Sequence, residues 1–303
     1  MTKNTEYIHK TVLLKESIEG LNIHKGDVYV DGTLGSAGHT EYALELNNGE
    51  IKVIGLDRDT EALGRSKKRL NKYQNVILIE SSYGNLDKVL SDLKIEQIDR
   101  MMLDLGLSSD QFETSGRGFT FKNDEPLLMT FKKEPTDGDI TAYEIVNSWQ
   151  EESIADIIFG YGGERYSRRI AHAIIKYREK KKIEKTSELV EIISQAVPVF
   201  YRKGKIHPAT RTFQALRIAV NDELNILKKG LEVGFDRLSI GGRIAVISFH
   251  SLEDRIVKNF NKEKEQNGQA KIITKRPITP SDEEIKENPR SRSAKLRILE
   301  KII

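Results

Sequence analysis

The stretch Asp27-Val-Tyr-Val-Asp-Gly-Thr-Leu-Gly-Ser-Ala-Gly-His-Thr40, followed by Ile51-Lys-Val-Ile-Gly-Leu-Asp-Arg-Asp59, decides the fold of this chain. It predicts a buried strand, a glycine-rich turn, a helix and a second strand that ends in a carboxylate. In a parallel α/β sheet, elements in this order build a nucleoside pocket at the carboxyl ends of the strands. Asp57 lies nineteen residues beyond Gly38, where its carboxylate can accept hydrogen bonds from both hydroxyls of a ribose.

The spacing of the glycines indicates what kind of nucleoside the turn would hold. Gly32, Gly35 and Gly38 follow the pattern Gly-x-x-Gly-x-x-Gly, whereas dinucleotide sites use Gly-x-Gly-x-x-Gly. We therefore expect a looser turn around an uncharged amino-acid moiety, and S-adenosylmethionine is a ligand of that kind. The alternative interpretation is a strand–turn–helix connection whose glycines serve only packing.

The composition restricts the classes of protein to consider. A chain of 303 residues with 38% hydrophobic and 31% charged residues can form one large domain or two modest ones. No apolar run approaches a membrane span, and the first residues lack a signal-like apolar segment, so we expect a cytoplasmic protein without a membrane partner. The absence of cysteine excludes disulfides, thiolate metal sites and cysteine nucleophiles. Since the six histidines are scattered, we expect no metal site.

Basic residues are concentrated in three segments, although the net charge is only +3. Residues 165–185 contain nine Lys or Arg against two Glu, and residues 192–221 contain five Lys or Arg and no acid. Residues 289–297 contain four Lys or Arg. Any one basic run is usually a solvated face, but three together favour a polyanionic partner such as nucleic acid.

The order of predicted elements indicates an α/β fold with a doubly wound sheet. Strands are expected at Val28–Asp31, Lys52–Asp57, Val76–Glu80 and 98–105, with helices between them. The next parallel strand, 243–249, comes only after more than a hundred residues. Two further strands, 271–275 and 294–301, are expected to pair antiparallel at the sheet edge.

The long interval between the fourth and fifth strands predicts an inserted domain. Residues 110–210 have helical periodicity and basic flanks, so we expect a mostly helical insertion that recognises the substrate. Residues 1–109 and 211–303 would then form one discontinuous, cofactor-binding domain. Residues 215–238 are expected to form one long helix that returns the chain to the sheet.

Asp104 is the residue that we expect to take part in chemistry. It ends the fourth strand, in Arg100-Met-Met-Leu-Asp-Leu-Gly-Leu-Ser-Ser-Asp-Gln111, at the same sheet edge as the glycine turn. DNA amino-methyltransferases carry Asp/Asn-Pro-Pro-Tyr/Phe at this place, and this chain has Asp-Leu-Gly-Leu instead. Positioning an amine and accepting its hydrogens can supply much of the catalysis of methyl transfer. The alternative role for Asp104 is a helix or turn cap.

Two further segments are dense in functional residue types. In His207-Pro-Ala-Thr-Arg-Thr-Phe-Gln-Ala-Leu-Arg217, we expect Phe213 to stack on a base while Arg211 and Arg217 bind phosphates. In Ser248-Phe-His-Ser-Leu-Glu-Asp-Arg255, the sequence Ser251-x-x-Asp254 predicts a helix start. That start is a possible anion site, and we assign His250 and Arg255 to the substrate.

Further segments complete a pattern that extends along nearly the whole chain: His9-Lys-Thr-Val-Leu-Leu-Lys-Glu-Ser17, Leu103-Asp-Leu-Gly-Leu-Ser-Ser109, Arg117-Gly-Phe-Thr-Phe121, Tyr161-Gly-Gly-Glu-Arg165 and Asn288-Pro-Arg-Ser-Arg-Ser293. With the glycine turn and the two dense segments, they resemble the bacterial small-subunit (16S) ribosomal RNA cytosine-N4 methyltransferase family (MraW/RsmH). The resemblance implies a class I methyltransferase fold that uses S-adenosylmethionine to methylate one cytosine of the ribosomal decoding region. The implied partner is 16S rRNA within the small subunit or its precursor. The resemblance leaves open whether the protein forms a homodimer.

The resemblance also implies which residues bind the cofactor. Carried onto matching positions, these are Ala37, Gly38, His39, Asp57, Tyr83, Asp104 and Gln111. The chain departs from the family pattern at Ala37, where Gly is common, and at Tyr83, where Phe is more usual. In Pro126-Leu-Leu-Met-Thr-Phe131, Leu128 and Thr130 replace an acid and a base.

Three other functions remain compatible with the residues. A DNA amino-methyltransferase would act on DNA and not on ribosomal particles. An NAD-dependent oxidoreductase could use Asp57 to hold an NAD ribose. An RNA-binding module with a degenerate pocket would bind rRNA without turnover.

Overall fold

Seven strands form one twisted sheet in the order β3-β2-β1-β4-β5-β7-β6. The computed structural model describes residues 10–108, 111–112, 115–136 and 138–303. The strands are β1 Val28–Asp31, β2 Lys52–Asp57, β3 Val76–Glu80, β4 Ile98–Asp104, β5 Leu238–Ser248, β6 Ala270–Ile272 and β7 Lys295–Lys301. Neighbours among β1 to β5 pair parallel, while β7 pairs antiparallel with both β5 and β6. His9, Ser109 and the expected domain boundary at 109/110 lie outside the described residues.

Helices connect the strands and make up most of the segment between β4 and β5. In chain order they are α1 Leu14–Leu21, α2 Gly38–Leu46, α3 Thr60–Arg69, α4 Leu86–Asp92, α5 Ala142–Ser148, α6 Glu151–Gly162, α7 Ser167–Arg178, α8 Thr186–Ala196, α9 Val199–Arg202, α10 Thr210–Asn221, α11 Glu223–Arg237, α12 Ser251–Gln266 and α13 Asp282–Glu287. Short 3₁₀ helices follow β3 at Tyr83–Asn85 and precede β7 at Pro289–Ser293.

The central strands are apolar because both faces of the sheet are covered. Side chains alternate between the faces, so Val30 packs into one hydrophobic cluster with Leu103 and Leu231, while Tyr29 packs into another with Met102. The sheet therefore has a core on each side, as the predicted α/β fold requires.

The chain divides into two compact units. The first contains the residues as far as Gly106 together with Leu224–Ile303, and includes the whole sheet; the second is Leu107–Glu223. The second unit has its own core, built from buried apolar residues of α5 to α8 and α10. Helix α10 lies in this second unit, so the return to the sheet falls at 223/224 rather than at the expected 210/211.

The expected single helix over 215–238 is wrong. Asp222, with φ 49° and ψ 38°, is in the left-handed conformation and separates α10 from α11. Asp is among the few residues that adopt this conformation at modest cost, so it can end one helix and start the next. Strand β5 also begins earlier than expected, at Leu238, and its register to β4 is irregular between Ile98 and Arg100.

Two helical glycines offer a test of how tightly the sheet-bearing unit is packed. Among the described residues, no atom lies within 4 Å of a Cβ added at Gly64, whereas a Cβ at Gly230 would overlap the ring of Tyr83. We expect Gly64→Ala to raise the free energy of unfolding by about 0.5–1 kcal/mol, because alanine favours the helix. Gly230→Ala gains the same propensity but must displace Tyr83, at a cost of about 1–3 kcal/mol. Urea denaturation of both variants measures the difference; equal stabilisation by the two would contradict this packing.

Candidate active site

The turn after β1 is held by hydrogen bonds to both neighbouring strands. Gly32 N donates to Met102 O of β4 at 2.9 Å, and Leu34 N donates to Leu56 O of β2 at 3.0 Å. A Cβ on Gly32 would lie 2.6 Å from Leu103 Cδ2 and 2.9 Å from Tyr83 Cβ, so any larger residue would have to displace these side chains. The sheet order reverses between β1 and β4, and the turn therefore lies at the place where α/β sheets bind ligands.

The start of α2 is packed beneath the residues before α1. Ala37 precedes the helix with φ 61°, a left-handed conformation, and its side chain is buried. A Cβ added at Gly38 would overlap the side chain of Thr11. His39 is buried, and its Nε2 lies 3.1 Å from Val12 O. Three of the expected cofactor residues thus form one continuous, closely packed segment.

Asp31 ends β1 as a buried carboxylate. It accepts hydrogen bonds from Thr40 Oγ1 at 2.7 Å and from Thr33 N at 3.2 Å. Burial is the main cause that raises the pKa of Asp31 to about 6, while the bond from Thr40 acts to lower it. We did not assign Asp31 to the site from the sequence, although its position at a strand end could have indicated it.

Asp57 ends β2 and faces the same turn. Its Oδ2 accepts a hydrogen bond from Gly35 N at 2.8 Å, and its Oδ1 accepts one from Asp59 N at 2.8 Å. Burial raises the pKa of this carboxyl, and the backbone donors partly oppose the shift. Each oxygen keeps acceptor capacity for a further donor, as the hydroxyls of a ribose would require.

Asp104 ends β4, on the other side of the turn. Its backbone N donates to Thr33 Oγ1 at 2.6 Å, and its Oδ2 lies 3.9 Å from His39 Nδ1. Its Oδ1 is buried and, within the described part of the chain, accepts no hydrogen bond. Burial raises the pKa of Asp104 well above the usual carboxyl range, and the negative charges of Asp31 and Glu253 add to this effect. A buried carboxylate oxygen without a donor is costly, so this atom is suited to a ligand that brings one.

The two remaining expected cofactor residues have different surroundings. Tyr83 is half-buried in the sheet-bearing unit, where its ring lies against Gly230 and its Cβ lies close to Gly32. Gln111 is buried in the second unit, and its Oε1 accepts a hydrogen bond from Ser108 N at 3.1 Å. Gly230 and Thr11 were not recognised from the sequence, since their importance arises only from packing.

The expected stacking of Phe213 on a base is contradicted by its burial. Its side chain is 5% exposed in the core of the second unit and makes an edge-to-face contact with Phe121, with ring centroids 5.3 Å apart. The residue faces inward because α10 is amphipathic, with Phe213 and Leu216 on its buried side.

The two arginines of the same helix already have protein partners. Arg211 Nη1 donates to the hydroxyl of Tyr201 at 3.2 Å. Arg217 forms a bidentate pair with Glu223, through Nε and Nη2, both at 2.8 Å. Arg217 therefore has a structural role at the end of α10, while Arg211 remains half-exposed.

Residues after β5 are placed around the start of α12. His250, rather than the expected Ser251, is the N-cap: its Nδ1 accepts a hydrogen bond from Glu253 N at 3.4 Å. The Glu253 carboxylate in turn accepts from Phe249 N at 2.8 Å and lies 3.1 Å from His250 Nε2. An acid at this helix start makes it a poor anion site. Arg255 is exposed on α12.

The unusual 126–131 segment is fixed within the second unit. The side-chain amide of Asn221 accepts a hydrogen bond from Phe131 N at 2.8 Å and donates one to Met129 O at 2.7 Å. Arg117 Nη1 donates a hydrogen bond to Phe131 O at 2.6 Å. Thr130 is buried and Leu128 is half-buried. Backbone contacts therefore define this segment, independently of the side chains at 128 and 130.

The sheet order, the reversed last strand and the three carboxylates at strand ends define a class I methyltransferase fold, as the sequence predicted. The model of the MraW methylase family matches residues 6–302, and the chain belongs to this family. The predicted family and the predicted cofactor, S-adenosylmethionine, are thereby confirmed.

No helix in the described ranges is long and apolar enough to cross a membrane.

Individual relatives match over almost the full length. The chain is 46% identical to ribosomal RNA small subunit methyltransferase H of Clostridium botulinum (strain Kyoto / Type A2), over 98% of this chain and 100% of the relative. It is 48% identical to the protein of the same name from Sulfurihydrogenibium sp. (strain YO3AOP1), over 96% of this chain and 98% of that one. A solved rRNA methylase from Streptococcus thermophilus is 14% identical, with a TM-score of 0.47, over 97% and 98% of the two chains.

The raised pKa of Asp31 makes stability depend on pH. The folded protein holds this proton more tightly than the unfolded chain, so the contribution of Asp31 to stability falls as pH rises from about 4 through 6. Asp31→Asn removes that dependence. We expect the stability of the variant relative to the wild type to increase by about 2 kcal/mol between pH 4 and pH 7. Urea denaturation at both pH values measures this change; a constant difference would contradict it.

Proposed function

We propose that this protein transfers the methyl group of S-adenosylmethionine to the N4 amine of one cytosine in the decoding region of 16S rRNA. Its substrate would be the small ribosomal subunit or its precursor, in the cytoplasm. Family membership and the names of the relatives support methylation of small-subunit rRNA. The observation that carries the choice of an amine is the buried, unpaired Oδ1 of Asp104 at the sheet switch point.

In this proposal Asp104 is the catalytic residue and the glycine turn binds the cofactor. When bound, S-adenosylmethionine would supply an activated methyl group, and the positive charge of its sulfonium would favour the ionised form of Asp104. Ionised Asp104 accepts a hydrogen bond from the amine and orients the nitrogen lone pair toward the methyl carbon. Transfer would leave neutral S-adenosylhomocysteine and a positively charged nitrogen. That acidic nitrogen would release its proton to the Asp104 carboxylate that accepts its hydrogen bond, so no strong base is needed.

We propose the following roles for the other residues that the sequence analysis assigned to the cofactor or to the substrate. Asp57 would hold the ribose, Tyr83 would pack against the adenine, and Ala37, Gly38, His39 and Gln111 would complete the cofactor site. The sheet-bearing part of the chain binds the cofactor and the helical insertion recognises RNA; the compact second unit Leu107–Glu223 supports this division. Arg211 and Arg255 keep exposed surface for phosphates, whereas the surroundings of Phe213, Arg217 and His250 favour structural roles.

The role of Asp104 is tested with labelled S-adenosylmethionine and small subunits from cells that lack this enzyme. We expect Asp104→Asn to lower the rate of N4-methylcytidine formation by about 100-fold or more. The reason is that the neutral amide of asparagine accepts a hydrogen bond from the amine more weakly than a charged carboxylate does. The affinity for S-adenosylhomocysteine, which lacks the sulfonium charge, should change much less when measured by calorimetry. Asp92→Asn, at the end of α4 on the surface, is the matched control.

Three outcomes would count against this function. A wild-type rate of methyl transfer by the Asp104→Asn variant would show that Asp104 is not the catalytic residue. Transfer to DNA but not to ribosomal particles would indicate a DNA amino-methyltransferase. Tight rRNA binding without any transfer would indicate a binding module with a degenerate pocket.

The coupling between Asp31 and Asp104 predicts the pH dependence of the reaction. The rate should rise with pH as Asp104 ionises, and the pKa of Asp104 is raised partly by the charge of Asp31. Asp31→Asn removes that charge, so the acid limb of the kcat profile should move to lower pH. An acid limb that stays in place or moves upward would contradict the coupling.

A further inference from the structure

The short helix α9 exposes apolar side chains that its own unit leaves uncovered. Phe200 is 66% exposed and Val199 is 61% exposed, and Ile206, shortly after the helix, is 55% exposed. Large apolar side chains in this number, within eight residues, commonly mark an interaction surface. None of them was assigned a role from the sequence.

The neighbouring residue Tyr201 holds the helix in this orientation. Its hydroxyl donates to Glu164 Oε2 at 2.5 Å, and the fully buried Glu164 also accepts from Tyr166 N at 2.9 Å. The rings of Tyr166 and Tyr201 make an edge-to-face contact with centroids 5.0 Å apart. Because Tyr201 is fixed toward the unit, Phe200 is held outward on a short, anchored helix.

The surroundings of Phe200 are positively charged. The Arg165 guanidinium lies over the rings of both Tyr166 and Tyr201, 4.9 and 5.1 Å from their centroids, and Arg165 is exposed. Arg202 ends α9, Lys203 and Lys205 follow it, and all three are also exposed. Residues 192–221 contain no acid, and the charge of Glu164 is buried. The exposed charge that α9 and its flanks carry is therefore entirely cationic.

We propose that Phe200, Arg165, Arg202, Lys203 and Lys205, here called the Phe200 surface, bind a single-stranded segment of the RNA substrate. An exposed aromatic ring can stack on a base, and the surrounding cations neutralise phosphates. The inference rests on the proposed function in one respect, that the substrate is RNA. A second copy of the chain is the less suitable occupant, since a symmetric contact would place the same cations against each other.

The stacking is tested by the binding of a single-stranded RNA from the decoding region, followed by fluorescence anisotropy. We expect Phe200→Ser to weaken binding about tenfold or more, and Phe200→Trp to keep it, because stacking needs only an aromatic face. Ile240→Ser is the control: Ile240 is 73% exposed near the amino end of β5, away from the cofactor edge. Cofactor affinity should be unchanged in all three variants.

The phosphate contacts are tested by the salt dependence of the same binding. In Lys203→Gln/Lys205→Gln, the slope of log K against log salt concentration should become smaller by about 1.4, from two lost contacts to a single strand. In methylation of intact subunits, Phe200→Ser should raise KM and leave kcat unchanged.

Several results would overturn the inference. RNA binding by Phe200→Ser at wild-type affinity would exclude stacking, and an unchanged salt slope would exclude the phosphate contacts. A wild-type dimer that Phe200→Ser converts to a monomer would identify a second copy as the occupant. RNA binding that depends on Phe200, without methylation by the wild type, would support this surface while the proposed function fails.

Discussion

The attachment of the β1 turn to β2 and β4 is the constraint on which the rest of the site depends. The backbone N of Gly32 donates a hydrogen bond to β4, and that of Leu34 donates one to β2. The hydroxyl of Thr33 accepts a hydrogen bond from the backbone N of Asp104. These bonds bring the ends of three strands to one place, with a carboxylate on each. Since the backbone groups are already paired, the turn has little freedom, and a ligand finds the carboxylates in position before it binds.

Much of the sheet and of this edge could be predicted from the sequence, because local rules determine them. Apolar runs bounded by glycine and aspartate fixed β1 to β4 closely, and Asp57 and Asp104 could be recognised as strand ends. The second unit was harder. Phe213 was assigned to RNA although it lies in a core, because residue type alone does not show which face of a helix is buried. The pairing of Arg217 with Glu223 depends on the break at Asp222, which no periodicity reveals.

The two units solve different physical problems. The sheet-bearing unit places Asp31, Asp57 and Asp104 at the carboxyl ends of its strands, where burial is the main cause that raises the pKa of each, and a bound cation would favour their ionised forms. In the second unit the fully buried Glu164 accepts a hydrogen bond from the hydroxyl of Tyr201, and most of the described cations, though not the buried Arg117, keep exposed surface. In the proposed function, binding of a cationic cofactor and binding of a polyanion would favour opposite charges, and an inserted unit would allow both within one chain.

The pairing of β4 with β5 has a consequence for folding. These strands are adjacent and parallel in the middle of the sheet, yet Asp104 pairs with Ile247, more than 140 residues later in the chain. Such a contact has high sequence separation, and its formation must close a very long loop. During synthesis the insertion emerges completely before β5 exists, so it can fold first and shorten the effective loop. The carboxyl end of β4, which carries Asp104, would then be among the last parts of the molecule to form.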